Sequence, residues 1–145
     1  MREIRTQTTS IHLFDFYSIT HLFWPFFIVL TLLQLPIPKG WIFAITLIIT
    51  TLFEVLENQD WFIHRYRLQE EDDLGKSNYF GDSHLNIIGD ILSNLAGMGM
   101  AYYLPSNTIK IAVLYGMFAI ITWYEPTYWK TFLTVMGYKV NQLTK

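Results

Sequence analysis

The sequence contains no cysteine and few charged side chains, and both shortages restrict what the chain can be. Without cysteine there is no disulfide, thiolate metal site, iron–sulfur cluster or cysteine nucleophile. Charged residues make up only 15% of the 145 residues, whereas soluble domains average about 25%. The net charge of −2 creates no basic field, so we expect no nucleic-acid partner. The sequence also lacks a glycine-rich phosphate loop, a His-Glu-x-x-His motif and a Gly-x-Ser-x-Gly elbow.

Long apolar stretches are what the chain does contain, and hydrophobic residues make up 52% of it. A membrane span needs about 20 mostly apolar residues, and four segments reach that length once their polar flanks are included. The sequence therefore predicts an all-α fold, a single polytopic membrane domain over residues 1–145 that forms a four-transmembrane-helix bundle. The expected spans are approximately 17–35, 41–57, 82–104 and 108–124. Short links with proline and glycine imply antiparallel neighbours.

The remaining segments are expected to lie at the membrane surface. Aromatic and apolar residues precede the first span, and others recur at helical spacing after the last one, which predicts short interfacial helices at both ends and in the long loop. The residues concerned are Ile11, Phe14, Phe16, Tyr128, Phe132, Val135 and Met136. The acidic run at residues 70–73 is expected to be a solvated loop.

Basic residues are unevenly divided between the two sides of this bundle. Eight lie on the side of the termini and the long loop, and two lie on the other: Arg2, Arg5, Arg65, Arg67, Lys76, Lys130, Lys139 and Lys145 against Lys39 and Lys110. The positive-inside rule therefore predicts that the N-terminus and the C-terminus are both cytoplasmic.

The third span has one polar face. At about 100° per residue, its small and polar residues share one side of the helix: Asp82, Asn86, Gly89, Asp90, Ser93, Asn94, Gly97 and Ala101. Small residues let helices approach closely. The face around Gly89, Ser93 and Gly97 is therefore either a packing seam or the contact surface for a homo-oligomer or a membrane-protein partner.

Two carboxylates on this face are candidates for a functional site. An ionised carboxylate deep in a span costs about 2.5–3.5 kcal/mol, so Asp90 must be paired, protonated or bound to a ligand. Asp82 begins the helix, where it is either an N-cap or a further ligand.

The first two spans place ionisable groups at the same expected membrane depth. Glu54 and Glu57 end the second span, and His21 lies near the corresponding end of the first. The second helix either continues through Asn58 or breaks there. In either case Arg65 could pair with Glu54 or Glu57.

Together these residues predict one polar pocket that opens to the cytoplasm. Hard oxygen ligands suit Mg²⁺, Mn²⁺ or Ca²⁺, and arginine suits a phosphate. We expect Mg²⁺ or Mn²⁺ as the cofactor, held by Glu54, Glu57, Asp82 and Asp90. Catalysis is assigned to His21, Glu57 and Asp90, with His21 as general acid or base. Substrate binding is assigned to Asn58, Arg65, Arg67 and Asn86.

Three segments also carry a resemblance to known proteins: residues 14–21, residues 54–58 running into 65–67, and residues 79–83 followed by Asn86 and Asp90. In this order they resemble an uncharacterised family of small bacterial inner-membrane proteins, known only as a domain of unknown function. More distantly, the chain is similar to VanZ-like membrane proteins, which are associated with glycopeptide resistance. That likeness rests on Glu54, Asn58, Arg65, Asp82, Asn86 and Gly89. The resemblance implies the bacterial inner membrane and implies no reaction.

Three functions remain open on the sequence alone. The first is a metal-assisted hydrolase or transferase that acts on a lipid-linked phosphate, with membrane lipids as partners. The second is a small proton- or cation-coupled transporter or lipid-handling protein, because carboxylates inside a bundle can relay protons. The third is a structural or accessory subunit of a membrane complex.

Overall fold

The computed structural model describes residues 10–74, 79 and 81–135, and its regular elements there are six helices. These are α1 (Ser18–Leu32), α2 (Lys39–Glu57), α3 (Asp60–Leu74), α4 (His84–Tyr103), α5 (Asn107–Tyr124) and α6 (Tyr128–Val135). Since the described residues contain no strand, the predicted all-α class is confirmed. Helices α1, α2, α4 and α5 occupy the four segments that the sequence predicted as spans.

The helix ends follow from local chemistry, and one of them corrects a prediction. The hydroxyl of Ser83 accepts a hydrogen bond from the backbone N–H of Asn86 at 3.2 Å, so Ser83 is the N-cap of α4. The N-cap alternative for Asp82 is therefore wrong, and its side chain is available for other contacts. Ser106 caps α5 in the same way through the N–H of Ile109.

The long polar connection contains a helix, as predicted, and this helix is longer than predicted. The chain breaks at Asn58 and restarts at Asp60, and α3 continues to Leu74. The acidic run at residues 70–73 therefore lies in helix backbone, and the predicted loop is wrong there. Leucine, glutamine and glutamate at residues 68–71 are good helix formers, which explains the continuation.

Of the two helices predicted at the ends of the chain, the one after the last span is present and the one before the first span is not. Residues 10–17 form turns and bends, so the predicted interfacial helix before α1 is wrong. The reason is that this segment uses its backbone to contact α4: Ser10 accepts a hydrogen bond from the N–H of Ser83 at 2.8 Å, and His12 accepts one from the side chain of Asn86 at 3.0 Å. The helix predicted after the last span is present as α6, and Met136 lies outside the described residues.

Polar side chains face inwards on α2 and α4, and large apolar ones face outwards. On α2 the buried side includes Thr46, Thr50, Glu54 and Glu57, and the exposed side includes Ile48, Ile49, Leu52 and Val55. On α4 the buried side includes Asn86, Asp90, Ser93 and Asn94, and the exposed side includes Leu85, Ile88, Leu92 and Leu95. This distribution is the reverse of the one that water imposes on a soluble helix.

Two helices, α2 and α5, are long and apolar enough to be candidate membrane spans by length and composition. Helix α1 is also apolar, but it has only 15 residues. The interior that these helices enclose has an apolar region of its own, which includes Phe26, Val29, Ile42, Met98 and Ile121.

Helix α1 packs more extensively on α4 than on any other helix, and glycines make the approach close. A Cβ at Gly97 would lie 2.2 Å from the carbonyl oxygen of Leu22, and a Cβ at Gly89 would lie 1.5 Å from that of Leu13. The Gly89/Ser93/Gly97 face is thus a packing seam inside this chain. The alternative use of that face for a homo-oligomer or a membrane-protein partner stays a prediction.

Candidate functional site

The ends of three helices bring the predicted acidic residues together. His21 lies in the first turn of α1, Glu54 and Glu57 lie in the last turn of α2, and Asp90 lies in the second turn of α4. Because α2 runs antiparallel to its neighbours, its C-terminal end meets their N-terminal ends. Glu54, Glu57 and Asp90 are all buried, with 5%, 9% and 2% of their surfaces exposed.

The imidazole of His21 lies between the three carboxylates. Its Nδ1 atom is 3.6 Å from Oε2 of Glu54. Its Nε2 atom is 3.6 Å from Oε1 of Glu57 and 3.9 Å from Oδ2 of Asp90. These separations exceed hydrogen-bond length, so the ring contacts the carboxylates without a direct hydrogen bond to any of them.

Asp82 joins the cluster through Asn58 and Tyr79. The amide nitrogen Nδ2 of Asn58 donates to Oδ2 of Asp82 at 3.1 Å, and the N–H of Asp82 donates to Oδ1 of Asn58 at 2.8 Å. The hydroxyl of Tyr79 also donates to Oδ2 of Asp82, at 3.3 Å. Burial, together with the charge of Asp82, raises the pKa of Tyr79, which keeps the phenol protonated as a donor. Asn58 therefore fixes the carboxylate of Asp82 beside α2.

Sequence reasoning missed Ser18, which orients Asp90. Its hydroxyl donates to Oδ1 of Asp90 at 2.9 Å, between two buried side chains. The N–H of Asp15 donates to the same hydroxyl oxygen at 3.2 Å, and Asp15 in turn accepts from the N–H groups of Ser10 and Tyr17. A serine three residues before His21 on one helix face was the available signal, but serine in an apolar helix commonly bonds only to its own backbone.

Among the described residues, no donor group hydrogen-bonds to two buried oxygens of the cluster, Oε2 of Glu54 and Oε1 of Glu57. Buried carboxylate oxygens in folded proteins are nearly always hydrogen-bonded. The unsatisfied atoms are the two that lie nearest the imidazole of His21.

The donor atoms form two sets with the spacing of metal ligands. In one set, atoms of His21, Glu54 and Asp90 all lie within 4.8 Å of one another. In the other, atoms of Glu54, Glu57 and Asp82 do the same, so Glu54 belongs to both sets. The sequence had treated the four carboxylates as ligands and His21 as a separate acid or base.

The predicted substrate-binding residues are not gathered in this cluster as a group. Arg65 is exposed on α3 and forms no ion pair with Glu54 or Glu57, so that predicted pairing is wrong. Arg67 is half-buried on the same helix. Asn86 is buried and donates to the backbone carbonyl of His12, which makes it part of the seam between α4 and residues 10–17.

Aromatic residues of α1 and α6 close the bundle next to these helix ends. Nε1 of Trp24 donates to the hydroxyl of Tyr128 at 3.0 Å, and burial raises the pKa of Tyr128 to about 12. The rings of Trp24 and Phe132 stack with centroids 5.0 Å apart. Sequence reasoning had placed Tyr128 and Phe132 in an interfacial helix, without this contact to α1.

An open apolar groove runs along the outside of the seam between α1 and α4. Its volume is about 490 Å³, and its walls include Phe14, Ile19, Leu22 and Leu92. Ser18, which binds Asp90, also lines this groove. The groove therefore adjoins the carboxylate cluster through one side chain.

Comparison with known proteins places this chain among bacterial relatives. Residues 1–128 match the family described as "Protein of unknown function (DUF2585)". A UPF0314 protein of Paracoccus denitrificans is 32% identical over 123 residues, which cover 83% of this chain and 61% of that protein. A UPF0314 protein of Brucella anthropi is 30% identical over 115 residues, 77% of this chain and 57% of that protein.

The chain thus spans about three fifths of the length of these two relatives. No solved structure matches it. The predicted resemblance to a bacterial family of unknown function is confirmed, and the more distant likeness to VanZ-like proteins stays a prediction. Since the family match covers 128 of its 145 residues, the chain belongs to the DUF2585 family of proteins of unknown function.

Proposed function

We propose that this chain is an integral protein of the bacterial inner membrane and that α1, α2, α4 and α5 form a four-span bundle. The inward-facing polar residues and outward-facing apolar residues of α2 and α4 support this proposal, because a bilayer stabilises exposed apolar surface that water does not. Helix α1 is short, but apolar residues flank it on both sides, from Phe14 to Leu35. Eight basic residues lie on the side of the termini and the long loop and two lie on the other, which favours cytoplasmic termini by the positive-inside rule.

The absence of cysteine makes this topology easy to test. Gly40→Cys adds a thiol in the first turn of α2, where a Cβ meets nothing within 4 Å. Asp60→Cys adds one at the exposed start of α3. In intact cells, a membrane-impermeant maleimide should label the first variant and should label the second only after lysis. Equal labelling of both variants in intact cells would contradict the orientation.

The cluster itself supports a function as a metal-assisted hydrolase or transferase that acts on a lipid-linked phosphate. The observation that carries this proposal is the contact of His21 with Glu54, Glu57 and Asp90 in a buried site that contains unpartnered carboxylate oxygens. Buried like charges are costly unless a cation or protons neutralise them. Carboxylate oxygens suit Mg²⁺ or Mn²⁺, and an imidazole among them favours the transition metal Mn²⁺ over Mg²⁺.

The chain's own residues would divide the work as follows. Glu54, Glu57, Asp82 and Asp90 supply ligand oxygens, and the position of His21 among them favours a ligand role over the predicted role as free acid or base. A bound divalent cation would supply Lewis-acid chemistry by polarising a phosphoryl oxygen and lowering the pKa of a water molecule.

The surroundings of the cluster favour a lipid as the substrate. The apolar groove that Ser18 lines can accommodate an acyl or isoprenoid chain, and the hydrogen bond of Ser18 to Asp90 places the cluster next to one wall of that groove. Arg65 is exposed on α3, the helix that follows α2 directly, and retains its predicted role in binding the phosphate. Arg67 is half-buried, and the side-chain amides of Asn58 and Asn86 already form hydrogen bonds within the protein. Arg65 is therefore the preferred candidate for binding the phosphate.

The test is phosphate release in reconstituted vesicles. The purified protein is assayed with Mn²⁺ or Mg²⁺ on vesicles that contain phosphatidic acid or an isoprenoid diphosphate, with and without EDTA. We expect release that EDTA abolishes and that Glu57→Gln and Asp90→Asn abolish while circular dichroism stays unchanged. The control is Asp60→Asn, which changes an exposed carboxylate of α3 and should retain full activity. Metal binding without turnover of any phosphate ester would contradict the enzymatic proposal.

A further inference from the structure

The two ligand sets overlap at a single residue. Donor atoms of His21, Glu54 and Asp90 lie within 4.8 Å of one another, and so do those of Glu54, Glu57 and Asp82. Two donors bound to the same cation lie about 3 to 4.6 Å apart when each bond is about 2.0–2.3 Å. Donors within 4.8 Å of one another lie close to this range, so a small side-chain shift would let each set hold one cation through a single ring nitrogen of His21, and Glu54 belongs to both sets.

The unsatisfied oxygens independently indicate that this cluster binds a ligand. Oε2 of Glu54 and Oε1 of Glu57 are buried without a hydrogen bond, and their residues are 5% and 9% exposed. A carboxylate that serves only to stabilise the fold would accept donors at such a depth. In contrast, Asp90 and Asp82 are oriented by Ser18 and Asn58, as carboxylate ligands commonly are by groups behind them.

Charge balance favours two cations over one. Glu54, Glu57, Asp82 and Asp90 together carry four negative charges when they are ionised. Within the described part of the chain, no lysine or arginine forms an ion pair with any of them, and His21 is their basic neighbour. One divalent cation would leave two carboxylates that only protons could neutralise, whereas two divalent cations would balance all four in their ionised form.

We propose that this cluster is a binuclear metal centre. His21, Glu54 and Asp90 hold one divalent cation, Glu54, Glu57 and Asp82 hold the other, and Glu54 bridges them. This inference rests on the proposed function and deepens it, because two adjacent cations suit in-line displacement at phosphorus by stabilising both the attacking and the leaving oxygen. The substrate class that fits such a centre is a phosphate ester or diphosphate.

The experiment counts Mn²⁺ ions per chain. Protein in dodecyl maltoside is stripped with EDTA, desalted and titrated with Mn²⁺ by calorimetry, and bound manganese is measured by mass spectrometry. The electron paramagnetic resonance spectrum then reports whether two Mn²⁺ ions are magnetically coupled. We expect two ions per wild-type chain and a coupled spectrum.

The variants separate the two positions. His21→Ala should retain one ion through the second set, and Asp82→Asn should retain one through the first, and both should lose the coupled signal. Glu54→Gln should weaken binding at both positions, and the control Asp60→Asn should bind two ions. Circular dichroism confirms that each variant is folded before its ions are counted.

The result for the wild-type protein distinguishes this inference from the proposed function. One ion per folded wild-type chain would overturn the binuclear centre and leave a mononuclear metal site intact. No bound ion would overturn both. Two ions without magnetic coupling would show separate sites and would overturn the bridging role of Glu54.

Discussion

A single methyl group added at Gly97 tests whether the close approach of α1 and α4 stabilises the bundle. In Gly97→Ala the new Cβ would lie 2.2 Å from the carbonyl oxygen of Leu22 and 3.0 Å from Cγ of Pro25. Ordinary contact begins at 3.4 Å, so α1 would have to shift by about 1.2 Å, the difference between 3.4 and 2.2 Å. Because the obstacle is backbone, it cannot rotate away, and overpacking of this kind costs about 2–3 kcal/mol.

The matched control lies two residues further along the same helix. A Cβ at Gly99 would meet nothing within 4 Å. Since alanine is favoured over glycine in a helix interior by about 0.8–1 kcal/mol, Gly99→Ala should stabilise the protein. Because this gain applies at both positions, the two variants should differ by the overpacking cost, about 2–3 kcal/mol in the free energy of unfolding. For a chain of this size, that difference corresponds to about 4–12 °C in Tm.

The assay is thermal unfolding in dodecyl maltoside, followed by far-ultraviolet circular dichroism. A second readout is the affinity for Mn²⁺, because moving α1 away from α4 lengthens the 2.9 Å hydrogen bond between Ser18 and Asp90. Gly97→Ala should lower this affinity, and Gly99→Ala should leave it unchanged. Equal Tm values for the two variants would refute the close packing of α1 on α4.

Three further predictions concern the site and its surroundings. Ser18→Ala removes the hydrogen bond that orients Asp90 and should weaken Mn²⁺ binding about 10- to 100-fold by calorimetry. In the control Ser93→Ala the lost hydroxyl donates to the carbonyl of Gly89 in its own helix, so Mn²⁺ affinity should not change. Tyr128→Phe removes the acceptor of the partly buried N–H of Trp24 and should cost about 0.5–1.5 kcal/mol in chemical unfolding, so an unchanged midpoint would contradict that contact. Metal at about 100 times its Kd should stabilise the protein by about 2.7 kcal/mol, and EDTA should reverse the shift in Tm.

The composition and periodicity of the sequence were enough to predict the helices. Apolar stretches that alternate with proline- and glycine-containing links predicted α1, α2, α4 and α5 close to their observed bounds. The polar face of α4 was also predictable, because about 100° per residue places its small and polar side chains on one side. These properties depend on neighbours along the chain, so they need no knowledge of the fold.

Errors arose where a long-range contact outweighed a local preference. Residues 10–17 have the pattern of an interfacial helix, yet their carbonyl groups bind α4 instead. The four consecutive acidic residues at 70–73 indicated a solvated loop. They lie in α3 instead, because leucine, glutamine and glutamate at residues 68–71 have high helix propensity. Arg65 is close in sequence to Glu57 and was expected to pair with it, but α3 turns that side chain outwards.

By itself the sequence determined the helical class, the helix positions and which segments contain the acidic residues of the cluster, because these follow from spacing and composition. Only the tertiary structure decided that His21 lies between three carboxylates, that Ser18 orients Asp90 and that Glu54 belongs to both ligand sets. Those relations join residues on different helices, and helix geometry along one segment carries no information on how a second segment packs against it.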